Sequence, residues 1–593
     1  MTTTKCQPLF IALLMIVLTL STNYSLAEPN EQRPIVNVPT LGRIGGSQLS
    51  SSSGRKFHAF RAIPYAEPPV GDLRFKDPVP AKPWDEGNLF DASREGPICT
   101  QYNSILGEGF VHGQEDCLYL NIYTPRLNIT ANSDLLPVMF WIHGGAFYMG
   151  SGNGENDRFG PGYILDRDVV LITFNYRLGP LGFLSTDDAE APGNYALLDQ
   201  SLALRWIRNH VRHFGGNPDL ITLFGESAGG ASVDYHVLSP YSRGMFHRAI
   251  IQSGTSKCPW SLQTPVGEYT KILAEHLDCP TTNSREILDC LRTRKAEDIV
   301  GIRRHITIPE LYVLVFSKIL KGYGMFPLAF VPRIDKERHL PFIPSQPEKL
   351  IMERKFAQVP LIIGVVQNEG SLVSSCNGDR VMNDFKADPI RTLSFMMNME
   401  KRPDGLQMAK LVHDHYFVEG KPYEEQMEQI EQITSDYGLF KCSDDSAYNE
   451  LSTYYYFYTH RGQFSFPQLV GIPPEMDFAC VRCVYPSMYL GVCHADELFL
   501  MFTAGYLPRI STADDIKVSE TLLDLWTSFA ENGVPRSRHV DEHWLPIEPG
   551  KTRYLKINSR STLVEEEMPF ASRLPFWDRM KIQNRLVSAR DEF

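Results

Sequence analysis

The chain has 593 residues, 43% of them hydrophobic, and 70 acidic against 58 basic side chains give it a formal net charge of −12. Such a length and apolar fraction suffice to bury a large core. The acidic balance argues against nucleic acid and anionic membrane surfaces as partners.

In chain order, the first feature is Lys5, an apolar run from Leu9 to Leu20, and Ser25-Leu26-Ala27, which offers small residues where a signal peptidase cuts. A secretory signal peptide is therefore predicted over 1–27. As a membrane anchor the run falls short of about 20 apolar residues and is followed by polar Ser21-Thr22-Asn23; no later stretch is apolar enough to span a bilayer. Secretion places ten of the eleven cysteines in an oxidising compartment, so disulfides are expected. Cys480-Val-Arg-Cys483 has the spacing of a zinc half-site, but no second pair follows at metal-finger spacing and no metal is expected. Asn128-Ile129-Thr130 is a glycosylation sequon. No linker, charge block or repeat marks a boundary, and only Ser47 to Gly54 reads as a loop, so one large domain is predicted over 34–580 with a tail at 581–593. The terminal Arg590-Asp591-Glu592-Phe593 resembles an endoplasmic-reticulum retention signal but ends in Phe, which leaves the reticulum lumen as the alternative location.

Pro137 to Ile142 and Val169 to Phe174 are short, nearly continuous apolar runs, the pattern of central strands covered on both faces. Leu197 to His213 carries an apolar stripe at helical spacing, and Ile221-Thr222-Leu223-Phe224 is a further strand. A helix follows over Ala231 to Leu238. Val359 to Val366 is another apolar strand, and Val518 to Asn532 a helix that stops at Gly533. Strands alternate with helices along most of the chain, so the class is α/β.

The chemistry centres on Gly225-Glu226-Ser227-Ala228-Gly229, a serine between glycines straight after a strand. This is the pattern of a nucleophile elbow, in which a strained strand-to-helix turn exposes the hydroxyl. A serine hydroxyl needs an imidazole to take its proton, a carboxylate to orient that imidazole, and amides to hold an oxyanion. His143-Gly144-Gly145-Ala146 follows a strand and supplies the amides of Gly145 and Ala146, with Ala228 as the third donor. The chain order serine, acid, histidine points beyond Ser227 to Glu369, in a turn after an apolar strand, and then to His494. Asp496 and Glu497 are rival acids, but as sequence neighbours of His494 they face apart from it more often than toward it; Glu369 is preferred.

The residues then resemble a known family, the type-B carboxylesterases and cholinesterases, and its insect-type carboxylesterases in particular. The resemblance runs through Phe60 to Phe75, Glu115-Asp116-Cys117-Leu118-Tyr119-Leu120-Asn121, Asn175-Tyr176-Arg177-Leu178-Gly179, Phe214 to Pro218, Phe224 to Gly229, Asn368-Glu369-Gly370-Ser371 and the His494 loop. It implies an α/β-hydrolase fold with a large central, mostly parallel sheet flanked by helices. It also implies a Ser227, Glu369, His494 triad without a cofactor, an ester as substrate, and disulfides Cys99–Cys117 and Cys279–Cys290. Cys258, Cys376, Cys442, Cys480, Cys483 and Cys493 have no assigned partner. Three features bear on specificity. Ala146 stands where many relatives have a third glycine, and its methyl narrows the acyl side. The loop from Cys99 to Cys117 carries Tyr102 and Phe110 but no tryptophan, which disfavours choline esters; Glu226 before the serine, where juvenile-hormone esterases typically show Gln, disfavours that hormone. A serine carboxylesterase is expected. An ester- or organophosphate-sequestering protein and a catalytically silent adhesion protein of the same fold are the alternatives.

Overall fold

The computed structural model describes residues 33–580 except 85–86, 103–110, 128–133, 155–158, 264, 302–327, 400–401, 444–447, 449–450, 467–490, 506, 549–550 and 552. The predicted signal peptide, the Asn128 sequon, Phe110, Cys480, Cys483 and the predicted tail at 581–593 lie outside the described residues, as does the side chain of Cys376.

One sheet of eleven strands organises the chain: β1 (Ser47–Ser50), β2 (Lys56–Pro64), β3 (Tyr119–Thr124), β4 (Leu136–Ile142), β5 (Val170–Phe174), β6 (Gly216–Glu226), β7 (Arg248–Gln252), β8 (Leu361–Val366), β9 (Thr453–Tyr458), β10 (Tyr554–Ile557) and β11 (Thr562–Val564). The spatial order is β11-β10-β9-β8-β7-β6-β4-β5-β3-β2-β1. From β5 to β10 all neighbours are parallel, and the antiparallel pairs sit at the two edges. Every residue of β4, β5 and β8 is buried, which is why these segments read as unbroken apolar runs rather than alternating ones. Helices cover the faces, among them α1 (Tyr195–His210), α2 (Ala228–Leu238), α3 (Ser371–Ala387), α4 (Met427–Ser435) and α5 (Ala513–Asn532). This is the α/β-hydrolase arrangement. None of the helices among the described residues is long and apolar enough to cross a membrane.

Two readings of the sequence need correction. Ser47 to Ser50 is not loop but the edge strand β1, paired antiparallel with Lys56 to Ala59. Its serines hid it: an edge strand takes its stability from the ladder to one neighbour, so its own side chains need not be apolar. The strand predicted over 221–224 runs from Gly216 to Glu226 across a register shift, and α2 begins at Ala228 rather than Ala231. Small residues near the turn carry no helical signal, and packing settles the boundary.

Disulfides join Cys99 to Cys117 and Cys279 to Cys290, and a third joins Cys258 to Cys442 across 184 positions of sequence. The third fastens the loop after β7 to the short helix after α4, where Thr255 Oγ1 also donates to the Cys442 carbonyl at 2.9 Å. A cross-link closing so long a loop restricts the unfolded chain most. The double substitution Cys258→Ala with Cys442→Ala is expected to lower stability by about 2–5 kcal/mol, read from denaturant unfolding.

Beneath α2 the ring of His236 is fully buried: its Nε2 lies 3.1 Å from Gln200 Oε1 and its Nδ1 2.5 Å from the Ser242 hydroxyl. Burial pushes its pKa down to about 3. The unfolded chain binds this proton below about 6.5 and the folded chain does not, so stability falls as pH drops from that value toward 3. Thermal denaturation across pH 7 to 4 is expected to show this fall, and a His236→Gln variant, less stable at pH 7, a shallower one.

Candidate active site

Ser227 stands at φ 60°, ψ −123°, between the end of β6 and the first residue of α2. That backbone conformation is strained for any residue with a side chain and persists because its surroundings over-determine it. The Ser227 amide donates to the Gln252 carbonyl at 2.9 Å, and its carbonyl accepts from Ala231 at 2.9 Å. Two glycines let the pieces meet. A Cβ on Gly229 would lie 1.9 Å from the Ile142 carbonyl oxygen, and one on Gly144 would lie 2.6 Å from the Glu226 oxygen and 3.0 Å from Ser227 Cβ. Only bare backbone allows the end of β4, the loop after it and the elbow to come this close.

The loop after β4 turns through three consecutive left-handed residues, Gly145 (φ 106°), Ala146 (φ 56°) and Phe147 (φ 64°). Its carbonyls are engaged: His143 accepts from the Tyr176 hydroxyl at 2.7 Å, Gly144 from its neighbour His143 Nδ1 at 2.8 Å, Gly145 from Tyr148 and Met149, and Phe147 from Gly179. The amides of Gly145, Ala146 and Ala228 have no partner among the described residues. Loop carbonyls tied down, amides unoccupied, and a helix N-terminus at Ala228 together make a cradle for negative charge. His143 is a structural ring in that cradle: burial lowers its pKa to about 4, and it stacks on Tyr176 at 4.3 Å.

Glu369 and His494, 125 positions apart, are brought together by a short zipper. The Asn368 amide donates to the Val492 carbonyl at 2.9 Å, and the Val492 amide returns to Asn368 Oδ1 at 3.0 Å. The Glu369 carboxylate then accepts from the Val366 amide at 2.9 Å and lies 2.5 Å from His494 Nδ1. The following Gly370 donates to Ser435 Oγ at the end of α4. The rival acids are occupied elsewhere. Asp496 accepts from Ser465 Oγ and from the Phe466 and Cys493 amides, which braces the His494 loop. Glu497 accepts from Gln252 Nε2 at 3.1 Å, and Gln252 Oε1 accepts from Trp526.

The other imidazole nitrogen does not hydrogen-bond Ser227. His494 Nε2 lies 3.0 Å from Glu226 Oε1, off the directions a hydrogen bond requires. The sequence marks Glu226 as part of the elbow and as a residue that disfavours the juvenile hormone, but not as a neighbour of the imidazole, and no local pattern marks Gln252 or Ser435. Burial disfavours a charged imidazolium here, but the carboxylates of Glu226 and Glu369 outweigh it and raise the His494 pKa well above the ordinary histidine value. The pKa of Glu497 is raised as well, to about 8, by burial and then by Glu226 and Glu369, which for a carboxyl favours the neutral form. Among the described residues no group of three or more His, Cys, Asp or Glu is placed to hold a metal ion.

A mostly parallel sheet that carries at one end a strained strand-to-helix turn at Ser227, a histidine–carboxylate pair and amides without partners among the described residues has the α/β-hydrolase arrangement. Residues 32–577 match the family model described as the carboxylesterase family. A carboxylic ester hydrolase from Bombus ignitus is 35% identical, over 95% of this chain and 97% of its own. Venom carboxylesterase-6 from Apis mellifera is 34% identical over 92% and 94%. The crystal structure of juvenile hormone esterase from Manduca sexta, with OTFP covalently attached, superposes with a TM-score of 0.78 at 26% identity, covering 93% of this chain and 99% of that one. The chain belongs to the carboxylesterase family and is an ester hydrolase.

A general base must be neutral to act, and both flanking carboxylates favour the protonated ring. Removing one charge by Glu226→Gln is therefore expected to lower the His494 pKa and move the acid limb of the kcat/KM profile to lower pH by roughly 1 unit or more. An acid limb that stays in place would show that Glu226 does not set this pKa.

Proposed function

We propose that the protein is a secreted serine carboxylesterase that hydrolyses carboxylic esters through an acyl-enzyme on Ser227. The reading is carried by one observation: His494 Nδ1 is held 2.5 Å from a buried Glu369 carboxylate while three unpartnered amides surround the strained Ser227 turn. Ser227 Oγ attacks the ester carbonyl as His494 Nε2 takes its proton. The amides of Gly145, Ala146 and Ala228 receive the oxyanion. The carbonyl–alkoxy bond then breaks, the proton on Nε2 goes to the departing alcohol, and water repeats the attack to release the acid and free serine. Glu369 stays ionised and holds the ring. For Nε2 to serve Ser227 it must turn from Glu226 toward Oγ, and substrate binding can complete this, since catalytic hydrogen bonds often tighten only in the complex. Three disulfides, together with the leader predicted over 1–27, support export.

A second reading is favoured by the same Nε2–Glu226 proximity. If the ring stays with Glu226 after acylation, water is poorly activated and the protein captures esters or organophosphates stoichiometrically.

Purified protein is expected to turn over a short-chain nitrophenyl ester and to be stopped by one organophosphate equivalent bound at Ser227. Ser227→Ala should lower kcat on the order of 10⁶-fold and Glu369→Gln by roughly 10⁴-fold, both with folding intact. Labelling with negligible turnover would select the sequestering reading, and neither labelling nor turnover would remove the serine mechanism.

A further inference from the structure

A cavity of about 350 Å³ that none of Ser227, Glu369 and His494 lines opens where the β1–β2 hairpin meets the chain segments around Gly160 and Thr503. Its size falls in the ~300–1,000 Å³ range of small-molecule sites. Five aromatic residues, Phe57, Tyr163, Phe464, Phe499 and Phe502, lie along its wall, and Arg509 is the one charged side chain among the lining residues. The wall is fixed by hydrogen bonds. Gly160 and Thr503 exchange backbone bonds at 2.8 and 3.1 Å, the Ser52 amide donates to Gly162 at 2.7 Å, and the Ile510 amide donates to the Tyr163 hydroxyl at 2.9 Å.

Apolar rings with a single cation select an amphiphile with one negative charge. Arg509 is exposed and gives Nη1 to the Ser52 carbonyl at 2.9 Å; a guanidinium has five N–H donors, and a carboxylate is the head group that takes two of them side by side. Ester hydrolysis releases a carboxylate each turn. We propose that this cavity binds a long-chain carboxylate, the head group being the one that ester hydrolysis releases, with the alkyl chain against the aromatic residues of the wall and the head on Arg509. The position couples it to the reaction frame: Phe502 packs on Trp141 of β4 at 4.7 Å and stacks on Phe224 of β6 at 6.2 Å, the strands that lead into the His143 loop and into Ser227. Phe464 directly precedes the two residues that hold Asp496.

The choice of acid draws on the esterase reading, but the test does not use turnover. Protein with Ser227 blocked by an organophosphate, or Ser227→Ala if labelling fails, is titrated calorimetrically with octanoate, decanoate and dodecanoate. One equivalent should bind, roughly threefold to fourfold tighter per added methylene. Arg509→Glu should weaken dodecanoate at least tenfold while leaving dodecanol unchanged, and Ala504→Trp, which fills the cavity, should abolish both. Ester turnover by each variant before blocking reports that it is folded. Absence of binding, binding that neither variant changes, or binding seen only while Ser227 is open would overturn the proposal.

Discussion

The approach of Gly229 to the carbonyl of Ile142 sets the geometry of the rest of the site. β6 and β4 are parallel neighbours, so their C-terminal ends arrive at the same edge of the sheet. The chain must then turn within one residue to return as α2 across the end of β4, and a side chain at 229 would collide with that carbonyl. The turn falls on Ser227, whose φ of 60° is the local cost, and it brings the Ala228 amide beside the loop bearing Gly145 and Ala146. The strained Ser227 turn and the placement of the Ala228 amide are thus products of one packing contact.

Charge is handled by the same closeness. Glu226, Glu369 and Glu497 are all buried near His494, an arrangement that would repel itself if every carboxylate were ionised. Glu497 relieves it, because burial and the two neighbouring carboxylates raise its pKa and favour its neutral form. Glu369 keeps a backbone amide and the imidazole as partners, while Glu226 shares the ring from the other side. Gln252 joins the two halves of the problem, since its carbonyl anchors the Ser227 amide while its side chain binds Glu497 and Trp526.

Burial and sterics explain which segments are legible in the sequence. β4, β5 and β8 are buried on both faces and so announce themselves as apolar runs. The elbow and the His143 loop were legible because glycines are placed where only glycine fits. β1 was missed because an edge strand can be polar. The Cys258–Cys442 bond was missed because pairing across 184 positions depends on where β7 and the segment after α4 end, not on spacing.

By itself the sequence determined the α/β class and marked the serine between glycines, the glycine loop after β4 and an ordered set of candidates for acid and base, since each rests on local sterics or on a short pattern. Only the tertiary structure decided which acid meets His494. The choice among Glu369, Asp496 and Glu497 lies in which carboxylate the Asn368–Val492 zipper delivers to Nδ1, and in the partners that Ser465 and Gln252 give the other two. It also revealed Glu226 at the far side of the ring, because a contact between positions 226 and 494 exists only once β6 and the His494 loop share one end of the sheet.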